Sequence, residues 1–241
     1  MTGRKFRAVL FDAAETLFTT RGTVGQIYGS IARRYGSMAP VEAIQAAFAR
    51  QFRGAGPLSI EDQKGWWKDV VHRVFTEVGM VYNFDQFFDE VYDRFRSSEG
   101  WVLFPETIEA LTELKRSGLK LGVISNFDNR IYSVMQSLDI RHFFDSVTLS
   151  SETGYCKPER EIFDAAILAL GVPASEILLV GDSLRDDVEA GMRAGLHAAL
   201  LDRAKRYGTL TQVPRISSLK ELVPLVRPSP AERGSGEGLK I

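Results

Sequence analysis

The stretch Arg7-Ala-Val-Leu-Phe11 is a short apolar run that ends at Asp12, and this pattern predicts a buried β-strand. Later runs of the same kind predict further strands: Leu119–Ile124, Ser146–Leu149, Ile177–Val180 and Leu196–Leu201. Segments with helical spacing of apolar residues separate these runs. Strands that alternate with helices are typical of a parallel sheet with both faces covered. The sequence therefore predicts a doubly wound α/β core.

The region between the first strand and the second has a different pattern. Its apolar residues recur at helical spacing, for example at Phe84, Phe88 and Val91, and no strand signal interrupts them. The aromatic stripes suggest a ligand cage, but the core of a helix bundle is the simpler interpretation. We predict an all-helical insertion over residues 19–98, within a core formed by residues 1–18 and 99–226.

The composition is that of an ordinary soluble globular protein, with 44% hydrophobic and 25% charged residues among 241. Thirty basic residues oppose 31 acidic ones, so the net charge of -1 argues against nucleic acid or an anionic membrane as partners. No apolar run is long enough to be a membrane span or a signal peptide, and a cytoplasmic location is expected. A single cysteine and three histidines exclude an internal disulfide and a zinc cage. The tail over residues 227–241 is rich in Pro, Ser and Gly and is predicted to be disordered.

Polar residues stand at or near the carboxyl ends of the predicted strands, where open parallel sheets bind ligands. Carboxylates there can hold a hard cation such as Mg²⁺, and one of them can act as a nucleophile. A hydroxyl and an ammonium group can hold the oxygens of an anionic substrate. The residues are Asp12 and Thr16, Ser125 and Asn126, Lys157, and Asp182 with Asp186 and Asp187.

Each of these residues also has a purely structural interpretation. Asp12 and Ser125 can cap turns, and the two acids after Asp182 can favour the start of the following helix. Lys157 can be a solvated loop lysine. Four such positions in the expected order make the functional interpretation the stronger one.

The same segments resemble the four motifs of the haloacid dehalogenase-like hydrolases. Phe11-Asp-Ala-Ala-Glu-Thr-Leu17 is similar to the first motif, whose usual form is Asp-x-Asp-Gly-Thr-Leu. The other three motifs correspond to Val123–Asn126, Lys157-Pro158 and Val180–Asp187. The helical insertion stands where members of subfamily IA carry a C1-type cap. Two further stretches, Gln63–Val71 and Ser125–Asp128, resemble the REG-2-like branch of that subfamily.

The resemblance implies a Rossmann-like core and phosphatase-type chemistry through an aspartyl-phosphate on Asp12. It implies a small phosphorylated metabolite as substrate and Mg²⁺ as cofactor. The implied site residues fall into three groups. The catalytic residues are Asp12, Thr16, Ser125 and Lys157; the phosphate ligands are Ser125, Asn126 and Lys157; the metal ligands are Asp12, the backbone carbonyl of Ala14, Asp182, and either Asp186 or Asp187.

The chain departs from the family pattern at Ala14, where phosphatases of the family carry an Asp that acts as general acid and base. A methyl group can do neither, and such catalysis is worth about 10²–10⁴ in rate. We therefore expect weak activity, with acyl and aryl phosphates least affected because their leaving groups are acidic. Glu15 replaces the usual Gly, and adjacent positions of an extended chain face opposite ways, so it is a poor substitute for the missing acid.

Three alternatives remain open at this stage. The first is a non-catalytic protein that holds a phosphorylated ligand at the same residues. The second is a phosphonate hydrolase, a class with Ala at the position of Ala14 and a cap lysine, for which Lys64 or Lys68 is available. The third is a haloacid dehalogenase, although these are metal-free and carry Ser-Asn where this chain has Gly181-Asp182. The presence of Asp182 thus favours a cation and phosphoryl chemistry.

Overall fold

A computed structural model describes residues 6–56, 58, 60–208 and 213–226, so the tail predicted to be disordered lies outside the described residues. The described part contains eight strands: β1 Ala8–Phe11, β2 Phe18–Thr20, β3 Trp101–Leu103, β4 Lys120–Ser125, β5 Ser146–Leu149, β6 Ile177–Gly181, β7 His197–Leu201 and β8 Arg215–Ile216. Six of them form a parallel sheet in the order β5-β4-β1-β6-β7-β8. The first strand therefore lies in the interior of the sheet.

Ten α-helices accompany the strands within the described residues: α1 Val24–Ala32, α2 Val41–Arg53, α3 Gln63–Val78, α4 Phe84–Arg94, α5 Thr107–Arg116, α6 Arg130–Ser137, α7 Ser150–Thr153, α8 Arg160–Leu170, α9 Ala190–Arg193 and α10 Leu222–Val226. Residues Leu184–Glu189 form a π-helical turn in front of α9. None of the helices in these ranges has the length and apolar character needed to cross a membrane.

Helices cover both faces of the main sheet. Alternate residues of β1 point to opposite faces: Val9 and Phe11 belong to the core that includes α5 and α6, and Ala8 and Leu10 belong to the core that includes α8. All four side chains are fully buried. This arrangement confirms the predicted doubly wound, Rossmann-like core. Three short strands, β2, β3 and β8, were not predicted.

Helices α1 to α4 lie in the segment between β2 and β3, residues 21–100, which we call the helical insertion. The two flanking strands pair as an antiparallel ribbon, with Phe18 opposite Leu103 and Thr20 opposite Trp101. The predicted boundary between residues 18 and 19 thus falls inside β2. Phe88 and Val91 are buried, as expected of a bundle core.

Candidate active site

The functional side chains meet at one edge of the sheet because three adjacent strands end there. β1 lies between β4 and β6, and Phe11 is level with Val123 and Val180 in the two neighbours. Asp12 follows β1 directly, and its backbone N–H donates to the carbonyl oxygen of Val180 at 2.9 Å. Ser125 is the last residue of β4 and is buried. Parallel strands thus bring together residues more than 100 positions apart in the chain.

Lys157 occupies the centre of this edge. Its Nζ lies 2.7 Å from Asp12 Oδ1 and 2.6 Å from Asp187 Oδ1, and all three side chains are buried. Burial alone would lower the pKa of Lys157, but the charges of Asp12 and Asp187 outweigh it and raise the pKa. Lys157 is therefore a buried ammonium group held between two carboxylates, not a solvated loop lysine.

For the carboxyl group of Asp12, burial has a larger effect on the pKa than the charge of Lys157. Burial raises its pKa to about 6, and the charge of Asp187 acts in the same direction, whereas Lys157 opposes the shift. Asp12 is 7% exposed, and what remains of its surface lines a cavity. The carboxylate is thus partly desolvated and open to a ligand, as a nucleophile requires.

Asn126 fixes the position of Lys157. Its Oδ1 accepts a hydrogen bond from the backbone N–H of Lys157 at 2.7 Å, and its Nδ2 donates to the carbonyl oxygen of the same residue at 3.0 Å. The predicted role of Asn126 was direct phosphate binding. In the structure its amide binds the main chain of Lys157, and the residue also lines the cavity, so phosphate binding by Asn126 stays a prediction.

Three acidic residues form what we call the acidic cluster: Asp12, Asp182 and Asp187. One carboxylate oxygen from each lies within 4.8 Å of those of the other two. Asp187 is 1% exposed, whereas Asp186 is half-buried and its carboxylate faces Ser183 Oγ at 3.4 Å. Of the two acids that the sequence left open, Asp187 is the one that joins the cluster.

The local backbone explains how Asp187 reaches the cluster. Ser183 caps the π-helical turn with its side chain, which accepts from the Asp186 N–H at 3.1 Å, and its own N–H donates to Asp187 Oδ2 at 3.0 Å. The carboxylate of Asp187 also lies against Gly181, where a Cβ would come within 2.2 Å of Oδ2. Glycine at that position therefore leaves the room that the carboxylate occupies.

Asp182 has a basic partner that the sequence analysis did not identify. Arg206 Nη2 donates to Asp182 Oδ2 at 2.9 Å, and the loop that carries it is held by buried Asp202, which accepts from the backbone N–H groups of Arg206 and Tyr207. Burial raises the pKa of Asp182, and the hydrogen bond from Arg206 opposes that shift. Arg206 follows the last strand of the predicted core, and no local pattern distinguishes it from a surface arginine.

The loop after Asp12 contains the departures from the family pattern. Ala14 presents a methyl group to the cavity. Glu15 adopts a φ of 63°, the left-handed region that favours glycine, and its carboxylate accepts from Thr19 Oγ1 at 2.7 Å. Its side chain is thus engaged with β2. Glu15 lines the cavity but has a partner of its own.

Thr16, predicted to be catalytic, lies below this loop. It is fully buried, and the described residues that line the cavity do not include it. Its backbone carbonyl accepts from Arg203 Nη2 at 3.1 Å, and Arg203 Nη1 also donates to Glu106 at 2.5 Å. The Thr16 hydroxyl has no hydrogen-bond partner among the described residues. This environment indicates a structural contribution to the loop.

A cavity of about 500 Å³ lies between this edge of the sheet and the helical insertion. Asp12, Ser125 and Lys157 line its floor. Its upper wall is largely aromatic and includes Tyr28, Phe48, Phe52, Trp67 and Phe95 from the insertion and Trp101 from β3. The interpretation as bundle core was favoured for most residues of these stripes, and several of the rings also line the cavity.

One polar cluster in the cavity wall joins the insertion to the core. Trp67 Nε1 donates to the carboxylate of Asp128, which also pairs with the guanidinium of Arg130. That guanidinium lies between the rings of Trp67 and Tyr92, 4.7 and 4.4 Å from their centroids. We call Trp67, Asp128 and Arg130 the interdomain clamp.

The two insertion lysines considered for a Schiff base do not line the cavity. Lys64 Nζ lies 2.7 Å from Asp89, Lys68 Nζ lies 2.8 Å from Asp85, and both side chains are exposed. The hydrogen bond that Lys68 donates to Asp85 raises the pKa of Lys68, whereas an amine nucleophile needs a lowered one. This geometry argues against phosphonate chemistry through either lysine.

The chain has a parallel α/β core with a helical insertion and an acidic cluster at the strand ends, and comparison with known proteins gives the family. The sequence profile of haloacid dehalogenase-like hydrolases matches residues 6–195. The chain therefore belongs to this family, as the motif resemblance predicted.

Individual relatives cover nearly the whole chain. It is 29% identical to mouse haloacid dehalogenase-like hydrolase domain-containing protein 3, over 91% of this chain and 93% of that protein. Among solved structures, a HAD phosphatase from Thermococcus onnurineus has a TM-score of 0.68 and 24% identity, and covers 91% of this chain and 97% of its own. The defluorinating L-2-haloacid dehalogenase Rha0230 has a TM-score of 0.76 and 19% identity, and the match covers 94% of this chain and 97% of the dehalogenase. These two likenesses show the fold.

Proposed function

We propose that the chain is a Mg²⁺-dependent phosphohydrolase that acts on a small phosphorylated metabolite through an aspartyl-phosphate on Asp12. The observation that carries this proposal is the placement of Lys157 between Asp12 and Asp187 at the floor of the cavity. A buried ammonium group beside a partly exposed carboxylate suits an anionic substrate that the carboxylate attacks.

The residues of the acidic cluster fit Mg²⁺. They offer three carboxylates within 4.8 Å of one another, and oxygen ligands are those that Mg²⁺ prefers. The three carboxylates carry three negative charges, and Lys157 and Arg206 supply two positive charges. One negative charge of the cluster is therefore uncompensated. Asp12, Asp182 and Asp187 would hold the ion, with the backbone carbonyl of Ala14 as a further candidate. When bound, Mg²⁺ supplies positive charge that offsets the charge of the transferring phosphoryl group.

The chain's own groups then have definite tasks. A carboxylate oxygen of Asp12 attacks phosphorus, and the bond between phosphorus and the leaving oxygen breaks with its electron pair. Lys157 and Ser125 hold the non-bridging oxygens, and Asn126 keeps Lys157 in place. The methyl group of Ala14 gives no proton to the leaving oxygen and takes none from the water that later attacks the aspartyl-phosphate. The first half-reaction is consequently slow for poor leaving groups, and the second is slow for every substrate because all of them give the same aspartyl-phosphate.

Phosphoryl transfer to Asp12 can be tested directly with acetyl phosphate, a small donor with a good leaving group. With Mg²⁺ present, we expect intact-mass measurement to show one added phosphoryl group on the parent protein, and phosphate release to follow slowly. Asp12→Asn should show neither. The proposal fails if the parent neither gains a phosphoryl group nor releases phosphate, or if Asp12→Asn behaves like the parent.

A second candidate function is the binding of a phosphorylated ligand without turnover. The observation that favours it is Ala14, because the general acid and base is missing while the groups that hold an anion remain. It expects a phosphate ester to raise the melting temperature of the parent without any phosphoryl adduct. The acetyl phosphate experiment therefore separates the two functions.

A further inference from the structure

We propose that the preferred substrates are phosphate monoesters of phenols, with the aromatic ring held in the cavity beneath the insertion. This inference rests on the proposed function and specifies its substrate class. Two independent features lead to it: the lining of the cavity wall, and the methyl group that Ala14 presents beside the nucleophile.

The cavity wall above the floor is lined mainly by aromatic side chains. Phe52 stacks on Phe48 with ring centroids 5.5 Å apart and on Trp67 at 5.6 Å, yet it is 47% exposed. On another part of the wall, the ring centroids of Trp101 and Phe127 lie 5.3 Å apart. Aromatic pairs favour such stacked and edge-to-face arrangements, so a flat ring is the ligand group that this wall suits best.

The charged groups of the wall are already paired. Arg130 Nε lies 2.9 and 3.0 Å from the two carboxylate oxygens of Asp128, and Trp67 donates to the same carboxylate. Glu15 accepts from Thr19. Among the described lining residues, Arg130 is the only cation away from the floor. A second phosphate or a carboxylate would therefore find no unpaired cation in the wall, whereas an apolar ring needs none.

The volume of about 500 Å³ is within the range of sites for small organic molecules. With the phosphoryl group at Asp12 and Lys157 on the floor, the rest of the ligand must extend toward the aromatic wall. One or two aromatic rings are small enough for such a space.

The chemistry of the leaving group also favours phosphate monoesters of phenols. The step forms an Asp12–phosphorus bond and breaks the phosphorus–oxygen bond, and the electron pair leaves with the oxygen. No acid at Ala14 protonates that oxygen, so it must be stable as an anion. A phenol resembles tyrosine, with a pKa near 10, whereas an alcohol lies closer to the ~15.7 of water. The phenolate leaves and takes its proton from solvent, and water later cleaves the aspartyl-phosphate to phosphate and free Asp12.

Three substrates distinguish the need for an aromatic ring from the need for a good leaving group. Each is assayed with Mg²⁺ by phosphate release. Phenyl phosphate has the ring and a good leaving group, benzyl phosphate has the ring and a poor one, and acetyl phosphate has a good leaving group without a ring. We expect kcat/KM for phenyl phosphate, which reports the first half-reaction, to exceed that for benzyl phosphate by at least about 10², the lower bound for absent general acid catalysis. We expect the Kd of phenyl phosphate for the inactive Asp12→Asn variant to be about tenfold or more below that of acetyl phosphate, from ring burial.

A cavity variant and a matched control locate the ring. Phe52→Ser should lower kcat/KM for phenyl phosphate by several-fold more than for acetyl phosphate. Met38→Ser changes a 93%-exposed apolar residue of the same insertion that does not line the cavity, and it should alter neither ratio.

The inference is wrong if acetyl phosphate is turned over but phenyl phosphate lacks either the kcat/KM advantage over benzyl phosphate or the Kd advantage over acetyl phosphate, or if Phe52→Ser affects both substrates equally. Failure of the proposed function looks different: no substrate, acetyl phosphate included, then gives a phosphoryl adduct on Asp12.

Discussion

The indole Nε1 of Trp67, in the helical insertion, donates a hydrogen bond to the buried carboxylate of Asp128, in the loop after β4. The neighbouring indole Nε1 of Trp66 is also buried but has no hydrogen-bond partner among the described residues. Two adjacent tryptophans thus differ in one respect, which makes them a matched pair. Only one of them ties the insertion to the core through a charged group.

Trp67→Phe should lower the free energy of unfolding by about 1.5–3 kcal/mol, the usual worth of a hydrogen bond to a charged group. Trp66→Phe removes a buried donor that is not hydrogen-bonded, so it should be neutral or slightly stabilising apart from the smaller ring. Urea unfolding of both variants measures the difference. Equal losses in the two variants would show that the hydrogen bond of the interdomain clamp contributes nothing.

The acidic cluster predicts which acids govern the response to Mg²⁺. The melting temperature of the parent should rise when Mg²⁺ replaces a chelator, because an ion held only by the folded acidic cluster would stabilise the folded state. Asp187→Asn should abolish most of that rise, since it removes a charge from the cluster, whereas Asp186→Asn should retain it. Differential scanning fluorimetry of each variant with and without Mg²⁺ tests this. A loss confined to Asp186→Asn would contradict the assignment.

Ala14→Asp should restore the missing acid and base. Turnover of benzyl phosphate should rise by about 10²–10⁴, because proton transfer to a poor leaving group is the step that the parent lacks. Phenyl phosphate should gain less in its first half-reaction. Steady-state rates measured beside Ala14→Asn, which has similar size but no acid, check the effect; an equal gain in both variants would rule out proton transfer as its cause.

Glu106 gives a prediction for acid stability. Burial would raise its pKa, but the hydrogen bond from Arg203, the charge of Arg203 and hydrogen bonds from backbone N–H groups together outweigh this, and the folded-state pKa lies below the ordinary 4.5. The pair therefore stabilises the protein above pH 4.5, and this contribution is lost as the pH falls through the lowered value. Glu106→Gln should cost about 1–3 kcal/mol at neutral pH and progressively less in acid. Urea unfolding across this pH range tests the trend, and a difference that grows in acid would contradict it.

The floor of the site could be predicted largely from sequence. Asp12, Ser125 and Asp182 each follow or end an apolar run, and parallel strands place such positions at one edge whatever their separation in the chain. The position of Lys157 between two carboxylates was not predictable, because it depends on Asn126, 31 residues away, holding its backbone. The sequence alone gives no sign of that contact.

Two other features were beyond the sequence for different reasons. The choice between Asp186 and Asp187 depends on a π-helical turn capped by Ser183, and ordinary helical spacing does not foresee such a turn. The sequence also could not show which aromatic residues of the insertion line the cavity. Phe88 is buried in the bundle and Phe52 is half-exposed in the cavity, although both lie on amphipathic helices with the same spacing.

The close contact between Gly181 and Asp187 gives a criterion that can be applied to sequences without structures. Any side chain at position 181 would displace the Asp187 carboxylate, since even a methyl carbon would come within 2.2 Å of its oxygen. A related chain with a larger residue there must either shift this acid or do without it. The residue type at this position of a relative thus indicates whether the carboxylate equivalent to Asp187 can reach those equivalent to Asp12 and Asp182.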